Sequence, residues 1–82
     1  MMPEQLDNLK KMLGEMKEDN SVPRNIKSKI DEVIGEIGNE DCEFDIKVSR
    51  LLNGLEEISE DPNLPSYIRS EILMGIGILS KN

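Results

Sequence analysis

The chain of 82 residues is long enough for one domain with a single hydrophobic core, but not for a deep catalytic cleft in addition. Its net charge is −7, and it contains one tyrosine, one phenylalanine and no tryptophan. Proteins that bind nucleic acids usually present a basic surface and aromatic side chains that stack on bases. The composition therefore argues against nucleic acid as a partner.

The cysteine content and the hydropathy indicate a cytoplasmic protein. Cys42 is the only cysteine, so no disulfide can form within the chain and a reducing compartment is favoured. The N-terminus lacks the succession of basic, apolar and small residues of a signal peptide. The longest apolar run, from Ile72 to Leu79, is far shorter than the ~20 residues that cross a bilayer. We therefore expect no membrane association.

The first half of the chain predicts two helices joined by a proline turn. Helix 1 is expected from about Pro3 to Glu18 and helix 2 from Pro23 to about Ile37, because apolar residues recur every three or four positions in both. Proline disfavours helical geometry in the residue before it and suits the start of a helix. The inward residues are Leu6, Leu9, Leu13 and Met16 in helix 1, and Ile26, Ile30, Val33, Ile34 and Ile37 in helix 2.

The second half predicts two further helices. Helix 3 is expected to begin near Asp41, which suits an N-cap, and helix 4 to run from Pro65 to Ser80. Residues 75–78 alternate between glycine and isoleucine, which also suits a strand, but no partner strand is present. The inward residues are Phe44, Val48, Leu51, Leu55 and Ile58 in helix 3, and Ile68, Ile72, Ile76 and Leu79 in helix 4.

The two halves are related by an internal repeat of 42 residues, which places Asp19 on Asp61 and Pro23 on Pro65. We interpret the chain as one helical hairpin present twice, with hairpin 1 at 3–38 and hairpin 2 at 41–80. Short connections make consecutive helices antiparallel, so the predicted fold is all-α, a four-helix bundle in one domain of residues 1–82. Such a period also suits a solenoid, but two units are too few to stack stably.

The sequence offers no set of residues for catalysis or metal binding. It has no histidine, which is the commonest general base and metal ligand. Asp41, Glu43 and Asp45 are spaced like the start of a calcium-binding loop, but Ile46 and Leu52 replace the required glycine and glutamate. We therefore expect no metal, no cofactor and no enzymatic activity.

Each proline turn contains an acidic residue that is followed by a basic one in the next helix. Asp19 precedes Lys27, and Asp61 precedes Arg69 with the same spacing. We predict that the two turns are fixed in one of two ways. Either these residues form acid–base pairs, or the aspartates accept hydrogen bonds from the first N–H groups of the helix. An alternative role for Arg24, Lys27 and Lys29, which open helix 2, is contact with an anion or an RNA backbone.

Helix 4 differs from helix 2 on its outer face. At about 100° per residue, Tyr67, Met74 and Ile78 form a second apolar stripe beside the core stripe. Either helix 4 is the central helix and this stripe is core, or the stripe is a docking surface for a second copy of the chain. We predict a dimer interface with Leu73 at its margin. The residues at the matching positions of helix 2 are Asn25, Asp31, Glu32 and Glu36.

A resemblance to a known family rests on the two proline motifs. The chain has VPRNIK from Val22 to Lys27 and DPNLP from Asp61 to Pro65, followed by Arg69. These motifs resemble the paired signatures of a small archaeal family, the uncharacterised protein family 0147, and the resemblance covers essentially the whole chain. It implies an all-helical bundle without an assigned activity, and it brings no catalytic or binding residues.

These patterns predict a non-enzymatic interaction or scaffold module that self-associates through helix 4 as a homodimer, with an unidentified protein partner left open. The alternative is an accessory protein on RNA or a ribonucleoprotein, engaged through Arg24, Lys27 and the lysines of helix 1. The two hypotheses differ in salt dependence. Phosphate contacts weaken steeply as the salt concentration rises, whereas an apolar helix contact does not.

Overall fold

The computed structural model describes residues 3–80 and shows four helices connected by short turns. No strand occurs within these residues, and the alternating segment 75–78 is helical. The prediction of an all-α four-helix fold is confirmed. The helices are α1 (Pro3–Lys17), α2 (Arg24–Ile37), α3 (Phe44–Ser59) and α4 (Ser66–Ser80).

Each helix packs mainly on its neighbour in the sequence, and α1 and α4 make the sparsest contact among the packed pairs. The bundle measures 33 × 22 × 19 Å along its principal axes. No polar or charged side chain is buried in the described part of the chain. The core is therefore held by apolar burial, which stabilises by about 1.5–3 kcal/mol for each fully buried large side chain.

The buried positions of the two halves correspond across the 42-residue shift. Helices α1 and α3 bury the same three positions, and the residue before the proline is buried in both turns. This correspondence supports the interpretation of a duplicated hairpin, which stays a hypothesis. The buried pairs are Leu9 and Leu51, Leu13 and Leu55, Met16 and Ile58, Val22 and Leu64, Ile26 and Ile68, Ile30 and Ile72, and Ile37 and Leu79.

Helix α3 begins later than predicted. Asp41 lies in the connecting segment, where its backbone N–H donates to Oδ1 of Asn39 at 2.9 Å. Glu43 holds the N-cap position, and its side chain makes no capping hydrogen bond. An asparagine that accepts from the residue two positions on forms a local turn that competes with helix. The prediction of Asp41 as the N-cap is therefore wrong.

Phe44 is also placed differently from the prediction, which assigned it to the core stripe of α3. Its side chain is exposed, whereas Val48 is half-buried and Leu51 is buried. Phe44 is the first residue of α3. It lies at the end of the bundle, where neighbouring helices cover it incompletely.

No helix among residues 3–80 is long and apolar enough to cross a bilayer. Residues 3–80 also contain no group of three or more histidine, cysteine, aspartate or glutamate side chains placed to hold a metal ion. The carboxylates of Asp41, Glu43 and Asp45 belong to exposed residues.

Candidate interaction surface

Helix α4 exposes four large side chains, which we call the α4 outer face. Tyr67 is 54% exposed, Leu73 52%, Met74 67% and Ile78 42%. The opposite side of the same helix is buried in the core through Ile68, Ile72 and Leu79. The second apolar stripe is therefore not part of the core of a single chain, and helix 4 is not a fully covered central helix.

Tyr67 connects α4 to the turn between α1 and α2. Its hydroxyl donates to Oδ2 of Asp19 at 2.5 Å and lies 2.6 Å from Oγ of Ser21. The other carboxylate oxygen of Asp19 accepts from the backbone N–H of Ser21 at 2.9 Å and from its hydroxyl at 2.6 Å. The ring of Tyr67 stays exposed while its polar end is held by the turn.

These hydrogen bonds shift the pKa values of both acidic groups. The Ser21 hydroxyl, the Tyr67 hydroxyl and the Ser21 backbone N–H lower the pKa of Asp19 from 3.8 to about 2, and the charge of Lys27 adds a smaller contribution. The hydrogen bond to the Asp19 carboxylate raises the pKa of Tyr67 above its ordinary value. The two directions agree, because one contact favours ionised aspartate beside neutral tyrosine.

The second proline turn makes a related contact in the opposite direction. Nδ2 of Asn25, which corresponds to Tyr67 in the repeat, lies 3.4 Å from Oδ2 of Asp61. Oδ1 of Asp61 accepts from the backbone N–H of Asn63 at 2.8 Å, as Asp19 does from Ser21. Each turn therefore contacts the helix that follows the other turn, and the two hairpins are joined at this end of the bundle.

The predicted acid–base pairs take other forms in the structure. Arg69 contacts Asp61 through the main chain: Nη2 donates to the Asp61 carbonyl at 2.7 Å, and Nε donates to the Ser59 carbonyl at 3.0 Å. Lys27 acts on Asp19 through its charge. The ion pairs found within residues 3–80 join other residues: Lys17 with Asp31, Lys29 with Glu57, and Arg50 with Glu36.

The sparse contact between α1 and α4 leaves an apolar groove, which we call the α1–α4 groove. Gly75 lets α1 pack closely on α4 beside this groove, since a Cβ there would lie 3.2 Å from Cδ1 of Leu9 and 3.5 Å from Cε of Met12. Met74 and Ile78 of the α4 outer face form one wall. None of the lining residues is charged: Gln5, Asn8, Leu9, Met12, Met74, Gly75, Ile78 and Leu79.

A second groove lies between α2 and α3, and five of its seven lining residues correspond to lining residues of the first groove in the repeat. Its chemistry is different, because two ion pairs cross it: Lys29 to Glu57 at 3.0 Å and Arg50 to Glu36 at 3.1 Å. The helices approach closely at Gly54, where a Cβ would lie 2.7 Å from Cγ2 of Val33. The lining residues of this α2–α3 groove are Lys29, Glu32, Val33, Glu36, Arg50, Gly54 and Glu57.

The sequence prediction found the α4 wall of the apolar groove and missed the α1 wall. Helical spacing places Met12 at the edge of the helix 1 stripe and does not single out Asn8. The 42-residue alignment holds a signal for them, because Met12 falls on Gly54 and Asn8 falls on Arg50. The α1–α4 groove thus has a methionine where the α2–α3 groove has Gly54, and an asparagine where it has Arg50.

A profile of an uncharacterised protein family, UPF0147, matches residues 2–81. The chain belongs to UPF0147. A UPF0147 protein of Methanothermobacter thermautotrophicus is 36% identical over 70 residues, which are 85% of this chain and 69% of the relative. One from Pyrococcus furiosus is 36% identical over 64 residues, which are 78% of this chain and 69% of the relative. A third, from Methanosarcina acetivorans, is 36% identical over 61 residues, 74% of this chain, but the match spans only 63% of the relative.

A solved structure shares the fold. The crystal structure of a protein of unknown function, MMP1188, superposes with a TM-score of 0.87 at 35% sequence identity. The match covers 95% of this chain and 89% of that protein. The family match gives this chain relatives, the solved structure gives it a known fold, and neither assigns an activity.

Proposed function

We propose that this protein is a non-enzymatic interaction module that associates with a second copy of itself through the α4 outer face. The observation that carries the proposal is the exposure of Met74 and Ile78, at positions where α2 has Glu32 and Glu36. Burying a large apolar side chain fully stabilises by about 1.5–3 kcal/mol relative to leaving it in water. Several such side chains on each subunit, related by a two-fold axis, offset part of the cost of association.

The absence of histidine from the sequence supports a role without catalysis. Cys42 is half-buried, and its sulfur lies 3.9 Å from a carboxylate oxygen of Glu36. We propose a cytoplasmic location, because a chain with a single cysteine forms no internal disulfide and so fits a reducing compartment.

The test is the molar mass of the protein in solution with a reductant present, so that a Cys42 disulfide cannot imitate a dimer. Wild type should be dimeric at micromolar concentrations by sedimentation equilibrium, and Met74→Glu should be monomeric with an unchanged helical spectrum. Asn53→Glu adds the same charge at an exposed position of α3 and serves as the control. A wild-type monomer at several hundred micromolar would overturn the proposal. RNA capture that disappears as salt rises would favour the RNA-associated alternative.

A further inference from the structure

We propose that the α1–α4 groove receives α4 of a second copy, so that each subunit of a two-fold dimer inserts its α4 outer face beside α1 of the other. This inference rests on the proposed self-association and adds a specific seat for the partner helix. It assigns an interface role to α1 residues, Met12 and Asn8, that the α4 outer face alone does not involve.

The shape and composition of the groove suit a helix. It lies between two neighbouring helices, and amphipathic helices commonly dock in apolar grooves of this kind. Met12 and Met74 line it with unbranched side chains that adapt to a partner surface. Gly75 belongs to the lining and adds no side chain to fill the groove. Met74 and Ile78 belong both to the α4 outer face and to the groove wall, so one two-fold axis beside α4 buries both surfaces of both subunits.

The charge distribution favours another copy as the partner. Seven acidic residues and no basic residue lie in the three connecting segments, 18–23, 38–43 and 60–65, and together they match the net charge of −7. By contrast, α1 carries three acidic and three basic residues, and α4 carries one of each. A basic partner would find no carboxylate in the groove lining. A second acidic copy meets a neutral face, with its like charges kept at the ends of the bundle.

The α2–α3 groove explains why association stops at two subunits. It has the corresponding position in the other half of the repeat, but Lys29, Glu57, Arg50 and Glu36 fill it with paired charges. Docking an apolar helix there would strip water from these charges without supplying new partners. Of these two grooves in the described part of the chain, the α1–α4 groove is the apolar one, and a two-fold pair uses the α1–α4 groove of each subunit.

The experiment compares matched substitutions on α1 and α3 by sedimentation equilibrium, at low and high salt and with a reductant. Asn8→Glu in the groove and Asn53→Glu outside it change the same residue type at exposed helical positions. Met12→Glu places a charge deeper in the groove. We expect Met12→Glu to weaken dimerisation about ten-fold or more and Asn8→Glu several-fold, while Asn53→Glu stays within about two-fold of wild type. Wild-type dimerisation should hold or strengthen as salt screens the acidic segments.

The outcomes separate this inference from the proposed function. If Met74→Glu gives a monomer while Met12→Glu and Asn8→Glu dimerise like wild type, then α4 is the interface and the groove is not the seat. If wild type itself is monomeric at several hundred micromolar, both ideas fail. Because Met12 is half-buried, the melting temperature of Met12→Glu is measured as well. Asn8 is exposed, so its substitution remains a valid test if Met12→Glu is poorly folded.

Discussion

Tyr67 presents two different surfaces, and they have different consequences. Its hydroxyl joins α4 to the α1–α2 turn through Asp19 and Ser21, while its ring remains more than half exposed. Contacts within one chain therefore account in part for a tyrosine at this position, since phenylalanine would not make these hydrogen bonds. No comparable hydrogen bond explains the residue types of Met74 and Ile78, so their exposure favours an interface more strongly than that of Tyr67 does.

The contact between Tyr67 and Asp19 predicts a shifted titration. In wild type the hydrogen bond to the Asp19 carboxylate raises the pKa of Tyr67. The midpoint of tyrosinate formation should therefore lie above pH 10.0. In Asp19→Asn the pKa should return toward its ordinary value, because the neutral amide no longer favours the neutral phenol. Tyr67 is the only tyrosine and the chain has no tryptophan, so ultraviolet absorbance during a base titration reports this residue alone.

The acid side of the same contact provides an independent check. The folded-state pKa of Asp19 is about 2, below its ordinary value of 3.8, so its stabilising contribution is present above pH 3.8 and is lost as the pH falls toward 2. The difference in melting temperature between wild type and Asp19→Asn should therefore shrink over that range. Identical base titrations of the two proteins, or a difference that persists at the lowest pH, would contradict the contact.

At the scale of the helices, the sequence pattern was informative about the inward faces and less so about the ends. The three- and four-residue spacing placed Leu13, Leu51 and Ile72 in the core, where they are fully buried. The start of α3 was missed because the side chain of Asn39 accepts from the Asp41 N–H, a local hydrogen bond that spacing does not reveal. Spacing also does not show where an apolar stripe extends past the neighbouring helices and becomes exposed, as it does at Phe44.

The close approach of α2 and α3 predicts opposite effects for two glycine substitutions. In Gly54→Ala the new Cβ would lie 2.7 Å from Cγ2 of Val33, a branched side chain that is stiff in a helix. We expect unfolding to become easier by about 1–3 kcal/mol, less the helix propensity that alanine gains. Gly35→Ala, also within a helix, meets nothing within 4 Å and should stabilise by up to about 1 kcal/mol. Urea unfolding measures both, and equal effects would contradict the predicted crowding.

At the scale of the whole molecule, the groove between α1 and α4 lay beyond what the sequence predicted. Periodicity indicates which side of each helix faces inward, but the distance between two helices depends on the packing of all four. The repeat predicted equivalent helix pairs, and the structure shows one pair crossed by ion pairs and the other lined by uncharged residues. Residue identities at matched positions, such as Met74 against Glu32, set that difference in chemistry.

The last prediction transfers the apolar face to the other half of the molecule. Glu32→Met with Glu36→Ile gives α2 the residues that α4 has at Met74 and Ile78. Loss of the Arg50–Glu36 ion pair should lower the free energy of unfolding only slightly, because ion pairs near the surface contribute about 0–1 kcal/mol. The doubly substituted chain then has an apolar outer face on α2 as well as on α4, while Lys29, Glu57 and Arg50 still line the α2–α3 groove beside the new face. Two such faces on opposite halves of a subunit build an assembly that does not close at two subunits.

We therefore expect the molar mass of this variant to exceed that of the dimer and to rise with concentration in light scattering. Adding Met74→Glu to the same chain provides the matched control, because it removes the original face and leaves only the transferred one. That triple variant should stop at a dimer, and a weaker one, since Lys29, Glu57 and Arg50 still line the α2–α3 groove. A double variant that keeps the wild-type mass would show that more than these two side chains distinguishes the faces.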